Sequence, residues 1–254
     1  MSNLLSKSEK QYVIDHFRIL DQPLNDELFS LEQLLDEEFV KLFIEDIKVQ
    51  LKTPYAFVAA SQLMKRIGYL FTVPGFYSMT VYNKALNLQL TNCELVNYYS
   101  EQGVWLPHLR LKDFSISTPE NGERYEWRES VVEGIGKDIA RIITTVSTVS
   151  SVPKPILWEN VAVYMYWLYE QRMGEEREDL PHRDSDFCYL VQQASPQLFN
   201  EKRNPFKQFY KPKKQVDETR LRRTCCFYYA QNQDGTCCST CPKSEQELKK
   251  LPLK

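Results

Sequence analysis

Five of the seven cysteines of this 254-residue chain fall in one stretch near its end, "RRTCCFYYAQNQDGTCCSTCP", residues 222–242. Cys225 and Cys226 are adjacent, ten residues follow, and then come Cys237, Cys238 and Cys241, with Pro242 behind them. Four thiolates are enough to close a zinc site or an iron–sulfur cluster. A disulfide framework fits less well. Seven is an odd number, and the bond geometry between adjacent cysteines distorts the peptide that joins them. In a reducing compartment a cysteine group is more often a metal or redox site. The cytoplasm is the expected compartment. "MSNLLSKSEKQ" lacks the cationic and then apolar blocks of a secretory signal. No apolar run approaches the roughly 18–20 residues needed to span a bilayer.

Zinc and iron–sulfur both remain open on spacing. Cys238-x-x-Cys241 alone would suit zinc, whose ligand pairs usually come from C-x-x-C knuckles that aim two thiolates at one point. A vicinal pair such as Cys225-Cys226 does not take that shape easily, but it can reach two different points, which a bimetallic cluster offers. A [2Fe–2S] centre with four thiolates carries a formal charge of about −2 or −3, and nearby cations raise its potential. Arg222 and Arg223 suit such an anion, and a zinc tetrathiolate too.

Other chemistries find little support. The only G-x-G is Gly134-Ile135-Gly136, and Ile139 stands where a dinucleotide fingerprint needs its third glycine. There is no G-x-x-x-x-G-K-[ST], G-x-S-x-G or H-E-x-x-H. His16, His108 and His182 are the only histidines. His16 reads as a surface residue of an N-terminal helix, whereas His108 or His182 could meet an anionic ligand. A net charge of −2 argues against a general nucleic-acid binder.

The elements that must position the cysteines read as a mostly helical body. "LNDELFSLEQLLDEEFVKLFIEDIKVQL" places Leu28, Leu31, Leu35, Phe39, Leu42 and Phe43 at helical spacing. Pro54 opens a second helix with Phe57, Val58, Leu63, Ile67, Leu70 and Phe71 on its apolar positions. Both read as core helices without chemistry of their own. From Tyr82 to Thr118 the period shifts to two, predicting two or three antiparallel strands joined by "SEQGVW", with a bulge near Asp113. Helical period returns with Val131, Ile135, Ile139, Ile142 and Val146, and again behind Pro155 in "ILWENVAVYMYWLYEQRM". There the aromatics Tyr164, Tyr166, Trp167 and Tyr169 read as packing. A polar loop, a short helix through Phe187, Leu190 and Val191, and an irregular basic stretch follow. "KSEQELKKLPLK" reads as a short terminal helix.

The expected fold class is therefore α+β: a predominantly helical body, a small antiparallel β element in the middle and a C-terminal cysteine-rich segment. Charge is uneven along it. Residues 1–50 hold five Lys/Arg against eleven Asp/Glu, while residues 201–223 hold nine Lys/Arg against three acids. Most such runs are solvated connectors. This one leads into the cysteines and would raise the potential felt by a bound anion.

"RRTCCFYY…CCSTCP" closely resembles the C-terminal signature of the ferric siderophore reductases, the FhuF-like family: an adjacent cysteine pair, ten residues, then C-x-x-C and proline. "PILWENVA" resembles a segment in the helical body of that family and of related siderophore synthetases. The resemblance implies a siderophore-reductase body over 1–220, a [2Fe–2S]-binding segment over 221–242 and a tail over 243–254. It implies Cys225, Cys226, Cys238 and Cys241 as cluster ligands. One departure stands out: Cys237 satisfies the ten-residue gap, whereas Cys238 satisfies the C-x-x-C-P, and the local match favours Cys238. The implied activity is one-electron reduction of an Fe(III)-siderophore, hydroxamate or citrate type, to Fe(II), which binds hard oxygen ligands far more weakly. With no nucleotide site in view, the electron is expected from a ferredoxin or a flavin-dependent reductase. The anionic chelate or donor is expected to dock on the basic run around Lys211, Lys213 and Lys214, with His182 and Arg183 as further candidates. A zinc-stabilised interaction protein and a non-catalytic siderophore-binding module are the rival expectations.

Overall fold

A computed structural model describes residues 4–24, 27–101, 104–120, 122–176 (175 and 176 by backbone alone), 180–213, 219–231 and 235–243. The expected terminal helix, from residue 244 on, lies outside the described residues, as does Lys214.

The order of elements is α1 (Lys7–Phe17), β1 (Ile19–Leu20), β2 (Leu28–Ser30), α2 (Glu37–Gln50), α3 (Ala56–Val81), β3 (Ala85–Leu86), β4 (Cys93–Val96), β5 (His108–Leu111), β6 (Ile116–Ser117), α4 (Arg124–Ser150), α5 (Lys154–Trp167), α6 (Met173–Glu176), α7 (Arg183–Cys188) and α8 (Pro205–Phe209). The chain is α+β and mainly helical, as its periodicity predicts.

The helix predicted from Leu28 onward differs in detail. Asp36 caps α2 by accepting from the Phe39 amide at 2.7 Å, which restarts the helical register at Glu37. Leu28 lies instead in strand β2, antiparallel to β4. The buried stripe of α2 is Val40, Phe43, Ile44 and Ile47, leaving Leu42 exposed. The predicted antiparallel pairs are present as β4–β5 and β3–β6. β1 adds to β5 in parallel, however, so the main sheet is mixed, in the order β1-β5-β4-β2. Strands of two or three residues are too short for alternation to reveal them.

Helices α3 and α5 pack at the centre. They approach closely because Gly68 has no side chain: a Cβ there would lie 2.8 Å from the Val161 Cα. Gly136, part of the rejected G-x-G, sits inside α4, where a Cβ would meet the Leu198 carbonyl at 2.6 Å. It is a packing glycine. The backbone from Lys154 to Glu176 stays helical through a π-helical turn at Leu168–Arg172 that carries Glu170. No helix among the described residues is long and apolar enough to cross a membrane.

Candidate metal centre

The cysteine segment has little regular structure of its own, so side chains of α3 and α5 must hold it. Glu159 and Asn160, from the "WEN" of α5, are buried in an otherwise apolar helix. The Glu159 carboxylate accepts from the Arg223 amide at 2.6 Å, the Thr224 amide at 2.7 Å and the Thr224 hydroxyl, and it faces the Arg222 guanidinium at 3.7 Å. Arg222 donates to Asn160 Oδ1 at 2.6 Å and to the Thr224 carbonyl at 3.2 Å. Asn160 in turn donates to Ser61 Oγ at 2.9 Å. On α3, Ser61 Oγ (2.8 Å) and Gln62 Nε2 (3.2 Å) both donate to the Cys226 carbonyl. The second arm is tied to the first by the Arg222 amide, which donates to the Thr240 carbonyl at 2.9 Å.

α3 is a core helix, as expected, but it also presents a polar face to the cysteine segment. Gln62, Lys65, Arg66 and Tyr69 recur at spacings of three and four, a polar face that the apolar pattern of the same helix hides. A carboxylate and an amide side by side in "ILWENVAV" were the available sequence signal for Glu159 and Asn160, since buried polar groups demand partners.

Cys226 is 2% exposed, and its Sγ lies 3.4 Å from Cys238 Sγ. Cys225 accepts from the Phe227 amide at 3.4 Å, and Phe227 sits in the left-handed region at φ 59°. Its ring is anchored edge-on against Phe57, centroids 4.9 Å apart. Cys225 lies within electrostatic reach of Cys226 and Cys241, and the Tyr229 hydroxyl feels both Cys225 and Cys241. The Cys241 amide donates to the Cys238 carbonyl at 3.0 Å, a tight turn across the C-x-x-C. None of the seven cysteines is in a disulfide. Among the described residues no three His, Cys, Asp or Glu side chains converge as they stand on a point where one ion would be held. Cys226 and Cys238 thus touch as a pair, with Cys225 within electrostatic reach of Cys226 and Cys241.

The electrostatics of the pair are asymmetric. The Cys226 S–H donates to Cys238, which pushes the Cys226 thiol well up, and burial adds to this. The same bond holds the Cys238 thiol down, to about 6, assisted by the Thr240 amide and hydroxyl and by Lys65. Burial lowers the Lys65 ammonium, while Cys226 and Cys238 oppose that shift.

The other expected residues lie elsewhere. His16 is exposed and packs on the Tyr12 ring at 4.3 Å. His182 and Arg183 begin α7, beside a network in which buried Asp186 accepts from Arg124 (2.7 and 2.8 Å), Arg128 (3.2 Å) and Thr80 (2.9 Å). The basic run is partly committed to internal pairs: Arg220 and Lys213 face Glu170, and Arg222 faces Glu159. Tyr166 and Tyr169 are buried as packing aromatics, but Tyr164 and Trp167 are only half-buried and border Tyr69.

No family model matches the chain, and no curated protein does. Among solved structures it is similar to the aerobactin synthetase IucC from a hypervirulent pathotype of Klebsiella pneumoniae, with a TM-score of 0.46 and 16% identity. That match covers 72% of this chain and 36% of the synthetase.

Proposed function

We propose that the chain is a cytoplasmic ferric siderophore reductase in which Cys225, Cys226, Cys238 and Cys241 hold a [2Fe–2S] cluster. The observation that supports this reading best is the arrangement of the vicinal pair. Cys226 Sγ touches Cys238 Sγ, and the Cys225 thiol is within electrostatic reach of Cys241. Two thiolates on one tetrahedral centre with bonds of ~2.3 Å are about 3.8 Å apart. The 3.4 Å between Cys226 and Cys238 is close to that edge, which supports these two as neighbouring ligands of one centre; Cys225 and Cys241 would have to close on the group to complete the set. When bound, the cluster would supply single electrons for reducing Fe(III) in a docked chelate, replenished by a ferredoxin or a flavin-dependent reductase.

The residues of the chain have separable tasks. Glu159, Asn160, Ser61 and Gln62 fix the backbone that carries Cys225 and Cys226. Lys65 and Arg222 place positive charge beside Cys226 and so offset accumulating thiolate charge. Burial of Cys226 excludes water from one side of the site. Release of iron follows from the substrate itself, because Fe(II) is bound far more weakly by hard oxygen donors.

Anaerobic purification followed by absorption and EPR spectroscopy tests the cofactor, and a ferrous trap added with ferric siderophore to the dithionite-reduced protein tests turnover. A red-brown protein, a rhombic signal on reduction and trapped Fe(II) are expected. A colourless zinc protein would overturn the cluster, and a cluster that is not reoxidised by any ferric siderophore would overturn the reductase.

A further inference from the structure

We infer that Arg18 and Arg66, with the aromatic side chains around them, form the seat of an anionic, carboxylate-bearing ferric chelate beside the cysteines. This rests on the reductase reading and adds to it the docking site and the charge of the substrate.

Arg18 is the left-handed cap that ends α1, at φ 56°. Its guanidinium lies over the Tyr69 ring, 3.9 Å from the centroid. Tyr69 meets Tyr164 edge-on at 5.5 Å and Trp167 at 6.4 Å. One turn earlier on α3, Arg66 donates to Gln62 Oε1 at 2.8 Å and to the Trp105 carbonyl at 3.4 Å, with the Trp105 ring 5.7 Å from its centre. The two guanidiniums feel each other, and Tyr164 feels both.

Their charges are uncompensated. Among the described residues Arg110, Arg124, Arg128, Arg220 and Arg222 each have a carboxylate within ion-pair distance, whereas Arg18, Lys65 and Arg66 have none. Arg18 Nη1 and Arg66 Nε are buried without a hydrogen-bond partner. Desolvated cations lacking a counter-charge are costly, so an arrangement that keeps two guanidiniums together implies an anion that completes it. The cysteine site accounts for only part of this charge. Cys226 feels Lys65 and Arg222, and Cys238 feels Lys65, but Arg18 acts on neither as a leading influence. Arg66 feels Cys226 in part, so Arg18 is the charge that the cysteines leave free for a second anion. Guanidinium forks match carboxylates with two parallel hydrogen bonds, and the half-buried rings of Tyr69 and Tyr164 offer faces for the organic part of a chelate, while buried Trp105 only holds Arg66 in place. The seat borders the cluster segment: Arg66 bonds Gln62, and Gln62 bonds the Cys226 carbonyl.

Gallium(III) citrate, anionic and inert to reduction, is the probe. Titrated into the full-length, anaerobically purified protein and followed by calorimetry, it should bind Arg18→Gln and Arg66→Gln at least about tenfold more weakly than wild type. The loss should shrink as salt rises. Gallium(III) bound to a neutral trihydroxamate should show no such loss. Lys112→Gln, a change of the same charge at an exposed site, should leave citrate binding intact. Circular dichroism melts verify folding, and if Arg66→Gln does not fold, Arg18→Gln alone carries the test. Wild-type affinity in Arg18→Gln, or equal losses for the citrate and neutral probes, would overturn the seat. If citrate binding depends on Arg18 while the spectra show no cluster, the reductase reading fails and the seat stands. If the cluster functions and citrate binding does not depend on Arg18, the seat fails and the reductase reading stands.

Discussion

Replacing Glu159 by Gln should release the first arm of the cysteine segment while leaving the body folded. The carboxylate is buried, and four donors converge on it: two backbone amides, the Thr224 hydroxyl and the Arg222 guanidinium. An amide keeps one acceptor oxygen and adds two N–H donors. At least one of the Arg223 or Thr224 amides must then face another donor, and Arg222 loses its counter-charge. Removing one partner of a buried ion pair costs about 3–5 kcal/mol. The segment is tied to α3 and α5 mainly by side chains, so this cost should appear as local opening more than as global unfolding. At about 1.4 kcal/mol per tenfold, the opening equilibrium rises roughly a hundredfold to a few thousandfold. Cys226 reports it, because its thiol is 2% exposed and labels only when the segment opens. In metal-free protein, labelling of Cys226 and exchange of the Arg223 and Thr224 amides should accelerate by about that factor, with amides in the middle of α4 unchanged. Glu159→Asp keeps the charge at a shorter reach and should fall between. A Cys226 labelling rate in Glu159→Gln close to wild type would refute the idea that this carboxylate clamps the segment.

Three further outcomes are expected. Cys238→Ser should abolish the visible and EPR spectra of the purified protein and Cys237→Ser should retain them; the reverse result would move the ligand to Cys237. Gly68→Ala should force α3 and α5 apart, since its Cβ would lie 2.8 Å from Val161 Cα. An overpacking cost of about 1–3 kcal/mol lowers Tm by several degrees, and an unchanged melt would contradict the close approach. In metal-free protein the lowered Cys238 thiol should alkylate with a midpoint near pH 6. The sign follows from its thiolate being favoured in the fold: that stability is fully present above the unfolded thiol value of about 8.5 and is lost as pH falls through the folded one. Cys226→Ala removes the S–H donor and should move the midpoint upward, and an ordinary thiol midpoint in both proteins would refute the asymmetry.

Much of the architecture was legible in the chain because helical burial repeats every three to four residues. Of the expected stripe Val131, Ile135, Ile139, Ile142 and Val146, all but half-buried Val131 are buried in α4, and Pro155 opens α5 as expected. The cysteine spacing alone was enough to single out the candidate centre. Other features depended on partners far away in sequence. Strands β1 and β2 exist because β5 and β4 supply their hydrogen bonds, and neither carries a pattern of its own. The clamp joins α5 to the segment across more than sixty residues, through hydrogen bonds that no local period encodes. Arg18 and Arg66 feel each other because the end of α1 is seated on Tyr69 of α3, one turn from Arg66. Sequence by itself determined which residue types were available for metal and charge chemistry. Tertiary structure decided which cations are neutralised and which are left for an anion, because ion pairing depends on separations of a few ångströms that only the packed helices set.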